Sequence, residues 1–208
     1  QRIVQLREEV AKLEIKNTSI QEAIAENIAV KKVLENKALG EIYGTVAGLC
    51  QVEQKYALAL EVAAAQKLQS IVVEDDKTAA KCIKFLKKGQ FGTATFLPLN
   101  KIKPRPPKEE EKSLAKEKGG QGFALDLIQF DPKFRNVFSH VFGSTLVVDN
   151  IDVARKIGIG KVRMVTLDGD LCETSGAMIG GYRHKKASSF REKGLLEQIK
   201  RRKEEIHE

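Results

Sequence analysis

The chain has 208 residues, 36 of them Lys or Arg against 28 Asp or Glu, for a formal net charge of +8. That length supports one large or two small globular units, and no apolar run reaches the roughly 18 residues that a membrane span needs. A basic balance favours anionic partners such as nucleic acid, although a lysine-rich solvated surface accounts for it equally well.

Residues 1–39 contain no Gly or Pro and carry a heptad pattern. Ile3, Leu6, Val10, Leu13, Ile20, Ile24 and Leu34 fall at alternating a and d positions, with Asn17, Asn27 and Lys31 as polar interruptions of the same seam. Such interruptions weaken packing but fix register and partner choice, so the segment reads as one long helix seeking a partner. The sequence starts at Gln1 without an initiator Met or a secretory signal and reads as a piece of a longer chain.

Two similar stretches follow. In the first, residues 55–62 read as helix, 71–75 (IVVED) as strand, 78–88 as helix and 93–97 (TATFL) as strand. In the second, residues 133–141 read as helix, 146–150 (LVVDN) as strand, 152–157 as a short helix and 163–167 as strand. Strand–helix–strand order implies crossover units with the apolar strands buried between helices, and the matched spacing suggests an internal repeat. Between them, residues 101–122 (KIKPRPPKEEEKSLAKEKGGQG) are rich in Pro, Gly and charge and read as an exposed connector. No GxxxxGK[ST] phosphate loop occurs in the chain.

Residues 161–181 (KVRMVTLDGDLCETSGAMIGG) are the most informative stretch. Asp168-Gly169 between apolar residues is a hairpin signal, and Ser175, Gly176, Ala177, Gly180 and Gly181 then leave a surface almost without bulk. A glycine cluster implies unusual backbone angles or close approach by another backbone, from a ligand, a neighbouring strand or a second copy. Asp168 and Asp170 could hold Mg²⁺, but turn chemistry accounts for both. Glu74-Asp75-Asp76 opens a helix, where acids complement the dipole.

Nothing fixes a catalytic arrangement. His140, His184 and His207 share no metal-ligand spacing, and Cys50, Cys82 and Cys172 form no CxxC, reading instead as reduced, buried thiols of a cytosolic protein. No catalytic residue, metal or cofactor is expected. After the glycines comes the basic tract Tyr182-Arg183-His184-Lys185-Lys186, with Arg201-Arg202-Lys203 further on. It fits salt-sensitive phosphate contacts and a merely solvated junction equally. The chain closes on a second helical segment after Ser188-Ser189, where Leu196, Ile199, Lys203 and Ile206 step by three and four.

Taken together, these features resemble the hinge domain of SMC proteins, the chromosome-organising ATPases of condensin and cohesin type. The resemblance runs over about residues 41–186 and rests on EIYGTVA at 41–47, KYALALE at 55–61, ATFLPL at 94–99, VTLDG at 165–169 and SGAMIGG at 175–181. It implies an α/β (α+β) fold of two similar subdomains flanked by an antiparallel coiled coil. The expected divisions are a coiled-coil helix at 1–39, subdomain I at 40–105, a linker at 106–122, subdomain II at 123–186 and a coiled-coil helix at 187–208. It implies a non-enzymatic dimerisation module whose partner is a second hinge, an identical chain or an SMC paralogue, each half meeting the opposite half of the partner by strand pairing. The interface would then use Gly176, Met178, Gly180 and Gly181 with Thr95, Phe96 and Leu97. Weak, non-specific DNA binding near the coiled-coil junction would fall to Arg183, Lys185 and Lys186, and the setting would be cytoplasmic and nucleoid-associated, or nuclear in a eukaryote. Two departures stand out: Ser175 and Ile179 replace a usual Gly and Thr, and Ala64-Ala65-Gln66 replaces a stretch that usually carries a glycine. A DNA-binding module, or a Mg²⁺-dependent nucleotide-handling enzyme using Asp168 and Asp170, are the competing readings.

Overall fold

The computed structural model describes residues 2–24, 27–183 and 189–207. Contacts divide the chain into two units, residues 1–27 with 183–208 and residues 28–182. The first unit consists of helices α1 (Arg2–Ile24) and α8 (Ser189–His207), which pack on each other. Leu6 and Val10 of α1 and Phe190 and Ile199 of α8 are buried, while Ile3, at an expected seam position, stays half exposed. Arg202 reaches Glu9 (3.3 Å) and Lys203 reaches Glu14 (2.6 Å), so charge lines the apolar contact. Exposed pairs of this kind contribute well under about 1 kcal/mol each and serve register more than stability.

The expected single helix over 1–39 is interrupted: α1 is described over Arg2–Ile24, Asn27 is not helical, and a separate helix, α2 (Ile28–Glu35), belongs to the second unit. There Ala29, Val30 and Val33 are buried against residues of α4 (Asp76–Gly89), whereas Leu34, a heptad position, is exposed. Burial against the globular core has rotated the apolar stripe off the heptad frame.

The second unit contains the repeat, in matching order. Its first half runs through β1 (Ile42–Thr45), β2 (Cys50–Val52), α3 (Ala57–Ala64), β3 (Ile71–Val73), α4 and β4 (Phe96–Pro98). The second runs through β5 (Gly120–Phe123), β6 (Ile128–Phe130), α6 (Arg135–Phe142), β7 (Leu146–Val148), α7 (Ile151–Ile157) and β8 (Met164–Thr166). β1 lies antiparallel to β3 with a bulge before Gly44, and β5 lies antiparallel to β7 with the same bulge before Gly122. β3 is parallel to β4 and β7 is parallel to β8, each pair joined by a helix. Asp75 caps α4 by accepting from the Thr78 N–H (2.7 Å), and Asn150 caps α7 by accepting from the Val153 N–H (3.0 Å).

β3 and β7 are apolar at every position and fully buried, as strands covered on both faces must be. Each half has its own core: Ile71, Val73, Cys82 and Leu86 in the first, Leu146, Val148, Ala154 and Met164 in the second. The halves are joined by β2 and β6, an antiparallel pair in which Gln51 faces Gln129 and Cys50 faces Phe130. Cys50, Cys82 and Cys172 are all buried thiols outside any disulfide among the described residues, and burial pushes the thiols of Cys82 and Cys172 up.

Two expectations are corrected here. The stretch read as a linker holds helix α5 (Glu109–Leu114) and the edge strand β5, with Leu114 and Ala115 packed on the second core. Its glycines belong to that packing: a Cβ on Gly120 would stand 2.9 Å from the Ala115 carbonyl oxygen. The strand expected at 93–97 is displaced to Phe96–Pro98; the Thr95 carbonyl already accepts from the Ile71 N–H (2.8 Å), so its pairing with β3 begins at Thr95 and residues 93–94 lie outside it.

The repeat also exposes a local misfit. α6 ends at Gly143, with φ +55° and ψ −134°, and α3 ends in the same conformation at Ala65, with φ +50° and ψ −130°. Glycine adopts this region freely, whereas a Cβ is crowded in it and costs about 1–3 kcal/mol. Ala65→Gly is therefore expected to stabilise the chain by about 1 kcal/mol, after the extra freedom glycine gives the unfolded state. The midpoint of urea unfolding measures this, and a lower midpoint would show that Ala65 carries no strain.

Candidate functional site

The glycine-marked stretch builds the end of the larger sheet, whose strand order is β10-β9-β8-β7-β5. β8 turns at Asp168-Gly169 into β9 (Leu171–Cys172), with Gly169 at φ +88° and its N–H donating to the Thr166 carbonyl (2.9 Å). Asp168 and Asp170 thus serve a hairpin. β9 turns again through Ser175 and Gly176 into β10 (Met178–Ile179), closed by the Glu173 N–H donating to the Ala177 carbonyl (2.8 Å).

Asp170 anchors both turns. Its backbone N–H donates to Thr166 Oγ1 (3.0 Å), and its Oδ1 accepts from the Gly181 N–H (3.3 Å). A Cβ on Gly180 would lie 2.2 Å from that same carboxylate oxygen, which leaves no room for a side chain. The bareness of Gly180 is thus explained within the chain, by the carboxylate of Asp170. Gly176 and Gly181 sit at φ +93° and +128°, a conformation that side chains resist, and open space surrounds both.

What remains bare is β10 itself. Met178 and Ile179 are 49% and 56% exposed. Adjacent strand residues point to opposite faces, so neither face of this edge strand is covered within the chain. An uncovered apolar edge is a pairing template unless something occupies it.

The other candidate residues lie on the smaller sheet, of order β1-β3-β4. Phe96 and Leu97 are on β4 and Thr95 just precedes it. Leu97 is buried, with 5% exposure, so only its backbone is offered at the edge. Among the described residues β4 has β3 on one side and no strand on the other, whereas its repeat equivalent β8 is flanked by β7 and β9. The first half lacks a counterpart of the β9–β10 extension. The two sets of residues lie on different sheets, so the structure does not bring them together in one chain. Of the basic candidates, Arg183 is exposed, and Lys185 and Lys186 lie outside the described residues.

Arg163 was not singled out by the sequence. Its Nη1 donates to the Ala63 carbonyl (2.9 Å) near the end of α3 and to Thr145 Oγ1 (3.0 Å), while its Nε pairs with Glu173 (3.1 Å). One guanidinium therefore ties the first half, the second half and the base of the β10 turn. No local signal could mark it, because its partners come from distant parts of the chain. Other acids are accounted for locally: the Thr78 N–H holds the Asp75 carboxyl below the usual range, and Asn100 does the same for Asp76. Among the described residues no group of His, Cys, Asp or Glu is arranged to hold a metal ion.

The sequence profile of the SMC proteins Flexible Hinge Domain matches residues 39–158. The chain belongs to the SMC hinge family. The hinge is 45% identical over 167 residues to the chromosome partition protein Smc of Synechocystis sp., and 44% identical over 169 residues to that of Methanocaldococcus jannaschii. Each alignment covers 80% of the chain but only 14% of the relative. The hinge superposes with a TM-score of 0.77 on a crystallised asymmetric dimer of the Geobacillus stearothermophilus SMC hinge domain, at 29% identity over 99% of this chain and 88% of that one. Against the Pyrococcus furiosus SMC hinge domain the TM-score is 0.67, at 38% identity over 86% of this chain and 95% of that one. Among the described residues of the hinge, no helix is long and apolar enough to cross a membrane.

Removing the Arg163 side chain should leave the Ala63 carbonyl and the Glu173 carboxylate without their partner. Arg163→Ala is expected to destabilise the hinge by about 2–3 kcal/mol, the cost of stranding partly buried polar groups. Thermal unfolding by circular dichroism reads this, and an unchanged melting temperature would remove Arg163 as the tie between the halves.

Proposed function

We propose that this hinge dimerises with a second copy of itself and so joins two coiled-coil arms, of which α1 and α8 are the stubs in an antiparallel pair. The observation that carries this reading is the complementary lack at the two edges. β10 projects from one sheet with both faces uncovered, and β4 closes the other sheet, among the described residues, with no second neighbour where its repeat equivalent has one. A second copy supplies each edge with the other, and two such contacts related by a dyad close into a ring. The interface is assigned to Gly176, Met178, Gly180 and Gly181 on one side and Thr95, Phe96 and Leu97 on the other. The role is mechanical, in a chromosome partition protein of Smc type, and no catalytic chemistry is assigned to this segment.

Glycine substitutions test the interface poorly, since a side chain at Gly180 collides with Asp170 before it meets a partner. Ile179 is the better probe, being exposed on β10. Ile179→Lys should give a folded protein of monomer mass by sedimentation equilibrium at concentrations where the unaltered chain is a dimer. Burying an unpaired ammonium in an apolar contact weakens association by about tenfold or more. An unaltered chain that is itself a monomer would overturn the homotypic reading, and an Ile179→Lys dimer of undiminished affinity would overturn the assigned edge.

A second reading rests on the basic tract at 182–186 and the net charge of +8. Arg183, Lys185 and Lys186 give the hinge weak, sequence-independent affinity for DNA. Reversing charge at Lys185 and Lys186 should weaken binding of a duplex and lower its salt slope by about 2, one unit per lost phosphate contact, with the dimer mass unchanged. An unaltered affinity and slope would take both lysines out of the contact.

A further inference from the structure

A cleft of about 520 Å³ opens beside the junction of the two halves, well apart in role from the edge strands, neither of which lines it. Its wall carries Lys67 from the turn after α3, Arg105 and Lys108 from the connecting segment, and His140 and Arg163 from the second half. Against the two lysines and two arginines stand, among the lining residues, only Glu111 and Glu173. Both acids are already engaged, Glu173 by Arg163 (3.1 Å) and Glu111 by the Lys108 N–H (2.8 Å).

The side chains of Lys67 and Arg105 line the cleft, and neither forms an ion pair among the described residues. Partial burial, then the charges of Arg105 and Arg163, lower the Lys67 ammonium below its usual value, against a weaker opposing pull from Glu173. Partial burial, then Arg105 and Lys67, lower His140. Ser144, also on the wall, has an amide and a hydroxyl with no partner in the protein among the described residues. Gly143 beside it adds no side chain, and since its own N–H and that of Thr145 are spent on the Ser139 and Phe142 carbonyls, the Ser144 amide is the backbone donor left for a ligand.

The geometry points to a binding site for a small, multiply charged phosphate compound, held by Lys67 and Arg105 with Ser144 as a neutral donor. Phosphate oxygens suit this set because a guanidinium fork and an ammonium meet them with charge-assisted hydrogen bonds, and hydroxyl and amide donors complete the shell. The space is of ligand size, since small-molecule sites run from about 300 to 1,000 Å³. A single phosphate would leave most of it empty, whereas two linked phosphates suit its volume better. Because Lys67 comes from the first half and Ser144 from the second, an occupant also bridges the repeat.

Inorganic pyrophosphate is the probe, titrated into the whole chain by calorimetry at constant ionic strength set with chloride. The site predicts one saturable event per chain. Lys67→Glu with Arg105→Glu should weaken it by at least about tenfold, the loss expected when charge-assisted contacts turn repulsive. Lys84→Glu with Lys88→Glu, the same change of charge on the exposed face of α4, should leave it unaltered. Lys67→Ala alone, at an exposed turn, gives the same direction if the double variant fails to fold. No binding to the unaltered chain, or equal losses in the cleft and α4 variants, would overturn the site. A duplex oligonucleotide that displaces pyrophosphate assigns the bound phosphate to a nucleic-acid backbone, and one that leaves it in place assigns it to a free compound; either result keeps the cleft as the phosphate site.

Discussion

The arrangement of this hinge depends on one short pairing, β2 against β6, in which Gln51 of the first half faces Gln129 of the second. Equivalent residues of a repeat can face each other only where a local two-fold passes between them. That constraint sets the two cores apart and turns β4 and β10 out on separate sheets. Arg163 reinforces the same junction from the side, by reaching the Ala63 carbonyl across the halves. Three residues per strand cannot hold such a junction alone, so helix packing, with α3 against α6 and α3 against β8, completes it.

Symmetry also explains what is unusual in the chain. Where the halves agree, each feature has an ordinary local cause: a bulge at Gly44 and Gly122, a cap at Asp75 and Asn150, an apolar strand at 71–73 and 146–148. Where they differ, the difference is informative. Ala65 occupies a glycine conformation, and β9 and β10 extend one sheet only. The extension ends in two exposed apolar residues, and the unextended sheet ends in a strand that, among the described residues, has no neighbour on its outer side. A strand edge left with unpaired backbone groups is costly to keep open in water and prone to pairing, which is why the two irregularities are read as one device.

Much of this was legible in the sequence because it is local. The strands IVV and LVV, the helices after their Asp and Asn caps, and the Asp168-Gly169 hairpin follow from periodicity and turn chemistry acting over a few residues. The glycine cluster at 176–181 was read as a place of unusual backbone angles or close approach by another backbone; Gly176 and Gly181 have positive φ, and Gly180 is bare because of the Asp170 carboxylate. The heptad reading does not hold over Ile28–Glu35, where burial of Ala29, Val30 and Val33 in the first core overrode the seam. The connector reading failed because the composition of residues 120–122 is that of a loop while their pairing is that of a strand. Contacts such as Arg163 with Ala63, or Gln121 with Tyr56 and Lys55, join residues far apart in the chain, and no spacing rule reaches them.

The three buried thiols divide the molecule in a useful way. Cys50 lies on the strand that joins the halves, Cys82 in the first core and Cys172 on the sheet that ends in β10. A thiol reacts as its thiolate and only when reagent can reach it, so each side chain is silent until its own surroundings open. Alkylation rates at the three positions are consequently separate clocks, one for parting of the halves, one for breathing of the first core and one for fraying toward the edge. The native chain carries its own set of reporters for which of its seams yields first under load.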